Sequence, residues 1–421
     1  MKKKIKLEQC KIIGLSKKHV YIFDDYYSSK INGIGTYIRE LTHCLRNLKI
    51  DVNLIVCNAQ IDEFCVTVEC GVKKILIPQT PNVFQNSGKI VVSLLKMYIN
   101  DSKDNVFFIN YSPCEILLKS LKEVYTKSKL IFVIHDMGWT MPLLGNTKML
   151  NEIITYKYVD NNIKYKKLND YIQEECRIYE IVNKVVVLSN DTKKTLQNIY
   201  KVKKSKIFFA CNGLADQYCS LNQKQIEDIK ASLFINSKEK IILYTGRICQ
   251  IKGIYSLING FKLVLKKYPC SRLVIVGTIL ENNKPITFAK SIASKVTFTG
   301  QISQEEISKW YKIADIGVLP SYYEQCSYTG IEMMMYGLPI VASDGFCVKN
   351  MFQHKKNALI AKIGDRSNAQ KYEKNLAKQI MVLLINSAMR INIGRQARET
   401  YLIKYTSLSM QQQYEKLLVS L

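Results

Sequence analysis

What most constrains this chain is a pattern: short apolar strand-like runs alternate with amphipathic helical runs, in two successive sets. The first set reads as strands at 20–23, 52–57, 74–78, 106–110, 130–134, 185–188 and 207–210. Helical periodicity fills 35–47, 89–99, 117–126, 171–182 and 191–200, and Tyr37, Ile38, Leu41, Cys44, Leu45 and Leu48 form the apolar face of the first of these helices. Continuous apolar strands separated by helices indicate a mostly parallel sheet covered on both faces, because parallel neighbours need a crossover and the crossover helices lie on the sheet. The second set starts at 240–245 and continues through a helix at 254–268, strands at 272–276 and 296–298, a helix at 304–313 and strands at 316–319 and 339–342. Residues 369–421 are helix-like, and 146–167 reads as an irregular, polar, mobile loop. A chain of 421 residues is too long for one ordinary core, so two α/β domains are expected.

Composition removes several classes. Apolar residues make up 47% of the chain, which excludes wholesale disorder. The Lys-rich start leads into no apolar signal-peptide core, and no run reaches the roughly 18 apolar residues of a spanning helix, so a cytoplasmic protein is expected. The 13 cysteines are scattered without a Cys-x-x-Cys pair, and the only histidines are His19, His43, His135 and His354. That usage argues against disulfides, zinc or any other metal centre. A net charge of +26 favours anionic partners: membrane lipid, nucleic acid or phosphorylated sugars. The basic residues are spread along the chain, densest at 1–6, 164–167 and 201–206, and no nucleic-acid motif accompanies them. A peripheral contact with an anionic membrane surface stays open beside a purely compositional origin of the charge.

Two segments carry chemistry. Ser321-Tyr-Tyr-Glu-Gln-Cys-Ser-Tyr-Thr-Gly-Ile-Glu332 follows a strand that ends at Pro320. It places Glu324 in a loop and Glu332 in a helix, with Ser327 as the N-cap. Backbone N–H groups at that helix start, around Tyr328 and Thr329, make an anion site. Acceptors on either side of an anion site suit a ligand with both hydroxyls and phosphates, such as a sugar nucleotide. Thr245-Gly-Arg-Ile-Cys-Gln-Ile-Lys-Gly253 lies between a strand and a helix, where doubly wound folds bind ligands. Arg247 can fork onto two phosphate oxygens, Lys252 adds a point charge, and Gly246 and Gly253 let the backbone approach. On local evidence the same run could be a solvated basic loop. The chain contains no Asp-x-Asp to hold a divalent metal against a departing diphosphate. Arg247, Lys252 and the helix start are expected to take that growing charge, with no metal and no separate cofactor.

These segments, with Asn32-Gly-Ile-Gly-Thr-Tyr-Ile-Arg-Glu-Leu41, Ile131-Phe-Val-Ile-His135-Asp136 and Gly337-Leu-Pro-Ile-Val341, resemble the retaining GT-B-fold glycosyltransferases of family 4, the bacterial glycosyl transferases group 1. The resemblance implies two Rossmann-like doubly wound domains facing a central cleft. Residues 1–212 would form the acceptor side, 213–395 the nucleotide-sugar domain, and 396–421 a helix that packs back on the N-terminal domain. It implies that Gly33 and Gly35 give a tight turn and close approach where the domains meet, and that Gly246, Arg247 and Lys252 carry the donor diphosphate with Tyr328 and Thr329. Glu324 would bond the donor sugar and Glu332 the ribose. His135, facing the cleft, would polarise or orient, which makes His135, Glu324, Arg247 and Lys252 the expected catalytic set. Locally, Gly33 and Gly35 could equally be a plain turn before a helix, and His135 a strand cap.

The implied activity is metal-independent, front-face transfer of a hexose from a UDP- or GDP-linked sugar to a hydroxyl of a glycan, a lipid-linked sugar or a peptide, as in polysaccharide biosynthesis. Two departures stand out. The run Ser343-Asp-Gly345-Phe-Cys-Val-Lys-Asn-Met351 replaces the family's Gly-Gly-x-x-Glu, and Gln325-Cys-Ser-Tyr328 replaces its commoner Gly-Phe-Gly-Leu. The second is expected to set sugar preference. The first leaves open a catalytically silent sugar-nucleotide-binding or scaffold protein; a GT-B sugar-nucleotide epimerase is the other alternative, though that class would want more carboxylates and histidines in the cleft than this chain offers.

Overall fold

The computed structural model describes residues 17–31, 33–79, 87–111, 114–156 and 163–421. The basic stretch 1–6, Asn32 and residues 157–162 lie outside them. The chain divides into two compact units: unit 1 is Met1–Pro142, Lys148–Asn212 and Ser407–Leu421, and unit 2 is Leu143–Thr147 and Gly213–Thr406. Among the described residues no helix is long and apolar enough to cross a membrane.

Unit 1 is built on an eight-stranded sheet of β1 (His19–Asp25), β2 (Asp51–Ala59), β3 (Cys65–Glu69), β4 (Val72–Pro78), β5 (Asn105–Ile109), β6 (Lys129–Ile134), β7 (Lys184–Val187) and β8 (Ile207–Phe209). Their order is β3-β4-β2-β1-β5-β6-β7-β8. Every pair is parallel except the edge hairpin β3/β4. That hairpin turns through Cys70 and Gly71, both at positive φ. β3 is absent from the sequence reading because it is an edge strand with little to bury: Val68 is 72% exposed. The sheet centre buries Val20, Ile22, Phe107, Phe108, Ile131 and Val185. Helix Ile34–Asn47 lays Tyr37, Ile38, Leu41, Cys44 and Leu45 into this core, and Leu48 serves as its C-cap. Helix Ser407–Val419 packs on it, with Tyr414 Oη 2.7 Å from Tyr37 Oη.

One expectation is corrected here. The stretch 146–167 contains helix Thr147–Tyr156 and the start of helix Ile163–Ile181. Leu150 and Ile153, three positions apart, are buried and anchor the first of these although the surrounding sequence is polar.

Unit 2 has six parallel strands: β9 (Lys240–Thr245), β10 (Ser271–Val276), β11 (Val296–Gly300), β12 (Ile316–Leu319), β13 (Ile340–Ser343) and β14 (Leu359–Ala361). The order β11-β10-β9-β12-β13-β14 is that of a doubly wound dinucleotide-type fold, whose direction reverses between β9 and β12. Helix Ile254–Leu265 packs against helix Ala369–Ile385 through Gly260, where an added Cβ would stand 3.0 Å from the Glu373 carbonyl. The helix-like tail resolves into Ala369–Ile385, Ser387–Lys404 and Ser407–Val419, with Asn386 capping the second through Met389 N–H.

Candidate functional site

The two sequence-selected segments of unit 2 leave neighbouring strands at the topological switch point. β9 ends at Thr245 and β12 at Leu319, and the strands pair with each other. The loops that follow are tied by backbone, with Tyr322 N–H donating to Ile251 O at 2.9 Å. Gly253, at φ +72°, caps helix Ile254–Leu265, and a Cβ there would stand 2.0 Å from Pro320 O. Position and conformation both demand glycine. Gly246, at φ +129°, turns the chain out of β9.

Lys252 Nζ lies 2.6 Å from Glu324 Oε1, and Ser321 Oγ donates to the same oxygen at 2.7 Å. The Lys252 and Glu324 side chains are only 14% and 12% exposed. An ammonium has three donors, so Lys252 can hold Glu324 and still bond a phosphate. Arg247 is half-buried, and among the described residues it forms no ion pair with a carboxylate. Ser327 caps helix Tyr328–Met335 by accepting from Gly330 N–H at 3.2 Å. Glu332, one turn into that helix, accepts from Tyr311 Oη at 2.7 Å. Thr329 Oγ1 donates to Thr245 O at 3.3 Å, bringing the helix start against the beginning of the 245–253 loop.

Three buried tyrosines hold these parts in place. Tyr244 Oη donates to Arg247 O, Tyr311 Oη to Glu332, and Tyr372 Oη to Pro320 O at 2.6 Å. Burial pushes all three phenols well above their ordinary pKa, so each stays a donor at neutral pH. The divergent run 343–351 backs Glu324 through its main chain: Glu324 N–H donates to Phe346 O at 3.1 Å and Phe346 N–H to Tyr322 O at 3.0 Å. Gly345 permits this, since a Cβ would meet Ser321 O at 2.5 Å. The side chains of Gln325, Cys326 and Ser327 are buried.

In unit 1, His135 follows β6 and meets Tyr37 edge-on, with ring centroids 4.6 Å apart. Asn110 Nδ2 donates to Phe23 O at 3.1 Å, which aims its Oδ1 at His135 Nε2, 3.2 Å away. Nε2 therefore carries the proton and Nδ1 the lone pair. Desolvation pushes the His135 pKa down to about 3, so the ring is neutral at physiological pH. Asp136 turns away into its own loop, accepting from Met137 N–H at 2.8 Å and Thr140 Oγ1 at 2.7 Å. Gly33 sits at φ −62°, an ordinary right-handed conformation, so the freedom expected of it there is not used. Gly35 is needed for closeness: a Cβ would stand 2.5 Å from Ser29 O.

Residues 225–400 match the family model described as Glycosyl transferases group 1. Unit 2 carries a glycosyl transferases group 1 domain. Curated relatives of the chain include an uncharacterized glycosyltransferase of Methanocaldococcus jannaschii, 27% identical over 179 residues, 42% of this chain and 46% of the relative. The match thus spans about half the length of that relative. Among solved structures, sucrose-phosphate synthase from Thermosynechococcus elongatus superposes with a TM-score of 0.73 at 19% identity, covering 96% of this chain and all 100% of that one. Anabaena HepE, in complex with UDP and glucose, does so with a TM-score of 0.72 at 13% identity, over 96% of this chain and 100% of that one. The fold class is GT-B, with both units Rossmann-like.

The group 1 domain gathers Gly246, Arg247, Lys252, Glu324, Tyr328, Thr329 and Glu332 onto two loops and one helix start. Gly33, Gly35 and His135 belong to unit 1, where helix Ile34–Asn47 supplies the ring that His135 packs on. Sequence reading missed Ser321, Tyr244, Tyr311, Tyr372 and Phe346. Tyr311, Tyr372 and Phe346 contact residues far along the chain, which leaves no local pattern; Ser321 and Tyr244 bond Glu324 and Arg247 only three positions away, in loops without a repeating period. Among the described residues, no group of three or more His, Cys, Asp or Glu is placed to hold a metal ion.

Proposed function

We propose that the chain is a retaining glycosyltransferase that moves a hexose from a UDP- or GDP-linked sugar to a hydroxyl of a glycan, a lipid-linked sugar or a peptide. The observation that carries this reading is the Lys252–Glu324 pair, standing beside Arg247 and a helix N-terminus at the switch point of the group 1 domain. The diphosphate takes Arg247, Lys252 and the Thr329 end of the helix; Glu324 takes hydroxyls of the donor sugar and Glu332 those of the ribose. Glu324 already accepts from an ammonium and a hydroxyl, which suits a hydrogen-bonding clamp better than a nucleophile. That supports front-face transfer: the bond from the anomeric carbon to the phosphate oxygen breaks, the acceptor oxygen bonds the same face, and its proton passes to the departing phosphate. The growing phosphate charge is met by Arg247 and Lys252 without a metal. His135, neutral and with a fixed tautomer, orients the acceptor hydroxyl. The net charge of +26 supports a peripheral contact with an anionic membrane surface on the cytoplasmic side.

Calorimetric titration with UDP and with GDP, each with and without EDTA, tests the donor site. Binding of at least one, insensitive to EDTA, is expected; binding of neither removes the proposal. A donor-hydrolysis assay with Lys252→Ala tests the phosphate assignment, which fails if slow hydrolysis is unaffected.

A further inference from the structure

We infer that Tyr311 is a positioning residue that sets the Glu332 carboxylate for nucleoside recognition, a reading that rests on the ribose role proposed for Glu332. Tyr311 is 1% exposed, on helix Gln304–Ile313, and its hydroxyl stands 2.7 Å from Glu332 Oε2 and 2.6 Å from Thr245 Oγ1. A carboxylate only accepts, so the phenol proton points at Glu332 and the phenol oxygen accepts from the Thr245 hydroxyl. The directions of both bonds are thereby fixed. The ring cannot swing away: it stacks on Tyr336 at 5.1 Å and 10°, and the Tyr336 hydroxyl is held 2.9 Å from Ser308 Oγ on the same helix as Tyr311.

The chain of contacts has a functional consequence. Thr245 is the last residue of β9 and opens the loop that carries Arg247 and Lys252. Its hydroxyl is bound to Tyr311, and its carbonyl accepts from Thr329 Oγ1 at 3.3 Å. One buried relay, Thr245 to Tyr311 to Glu332, therefore connects the start of the diphosphate loop to the carboxylate assigned to the ribose. A charge-assisted bond of this kind is strong and directional, and it holds the acceptor oxygens in one orientation before a ligand arrives. Tyr311 touches no substrate in this scheme and acts only through Glu332.

The test compares nucleoside diphosphate with inorganic pyrophosphate, which shares the phosphate site and lacks the ribose. Tyr311→Phe in the full chain should weaken binding of the better of UDP and GDP roughly five- to tenfold. Pyrophosphate affinity should stay within about twofold of the original. Adding Tyr311→Phe to Glu332→Gln should cost little more. Equal loss of nucleotide and pyrophosphate affinity would mark a merely structural phenol and overturn the inference. If Glu332→Gln leaves the nucleotide-to-pyrophosphate ratio unchanged, the ribose role of Glu332 itself is wrong. If Glu332→Gln shifts the ratio and Tyr311→Phe does not, only the role of Tyr311 is overturned. Should Tyr311→Phe fail to fold, Thr245→Val removes the other end of the relay, and a loss of at least roughly twofold confined to the nucleotide is expected; no selective loss overturns the proposal.

Discussion

Lys252 Nζ and Glu324 Oε1 stand 2.6 Å apart although 72 positions separate them in the chain. The two loops that carry them meet because β9 and β12 are neighbours in the sheet. Both side chains are largely buried, so each needs the other: removing one leaves a charge with little solvent to compensate it. Lys252→Ala should therefore lose phosphate affinity and misplace Glu324 together, lowering turnover by roughly 100-fold. Glu324→Gln should do comparable damage, and the double variant should be clearly less impaired than the product of the singles. A coupling energy of about 1–3 kcal/mol in a double-mutant cycle on donor binding is expected. Strict additivity would show that the pair does not act as a unit.

The glycines of the 245–253 loop should differ in cost. Gly253→Ala meets both a positive φ and the Pro320 carbonyl at 2.0 Å, so the loop must open or the helix start must move. A loss of about 2–4 kcal/mol in urea unfolding, with loss of nucleotide binding, is expected. Gly246→Ala meets nothing closer than 3.6 Å and is strained by its φ alone. It should cost about half as much.

Two buried groups of unit 1 should oppose each other with pH. Desolvation lowers the His135 pKa from 6.5 to about 3, so its contribution to stability is present above pH 6.5 and is lost as pH falls toward 3. Desolvation raises Glu175 from 4.5 to about 7, although it accepts from Gly138 N–H and the Tyr200 hydroxyl. Its contribution is present below pH 4.5 and is lost as pH rises through 7. Between pH 4.5 and 6.5 the unfolded chain binds one proton more at His135 and one fewer at Glu175, and the two slopes cancel. Glu175→Gln should unmask stability that rises with pH across that window, by up to about 1.4 kcal/mol per pH unit relative to the parent. His135→Asn should unmask the opposite slope. Parallel curves for parent and variants in denaturant titrations at the two ends of the window would refute this.

Helix Ser407–Val419 belongs energetically to unit 1. Its Met410, Tyr414, Leu417 and Leu418 are buried, Ser407 Oγ donates to Glu40 at 3.0 Å, and Gln413 Oε1 accepts from Cys211 N–H at 2.8 Å. Ending the chain at Thr406 would uncover Tyr37, which packs on Tyr414, and Cys44, which bonds Ser407 O, along with the lost partners. At about 1.5–3 kcal/mol for each large apolar side chain, the loss is comparable to the whole stability of a domain. Soluble expression of unit 1 should collapse, and far-UV circular dichroism should show loss of more helix than the deleted segment holds.

What the sequence determined by itself is whatever depends on near neighbours along the chain. The alternation of strands and helices, the Ser327 cap and the loops that carry Lys252 and Glu324 are written in periodicity, capping chemistry and the run of Gly, Arg and Lys from 246 to 253. Where the local signal was weak, the reading was weak: edge strand β3 and helix Thr147–Tyr156 bury too little, or too few residues, to stand out. Only the tertiary structure decided the strand order, and with it the rest. The reversal between β9 and β12 is what makes Lys252 a partner of Glu324, ties Thr245 to Tyr311 and Glu332, and brings Phe346 behind the Glu324 loop. Those contacts span tens of residues and bury polar groups that must find a partner on folding. The residue that satisfies them is chosen by which strands lie side by side, a fact that no short stretch of sequence contains.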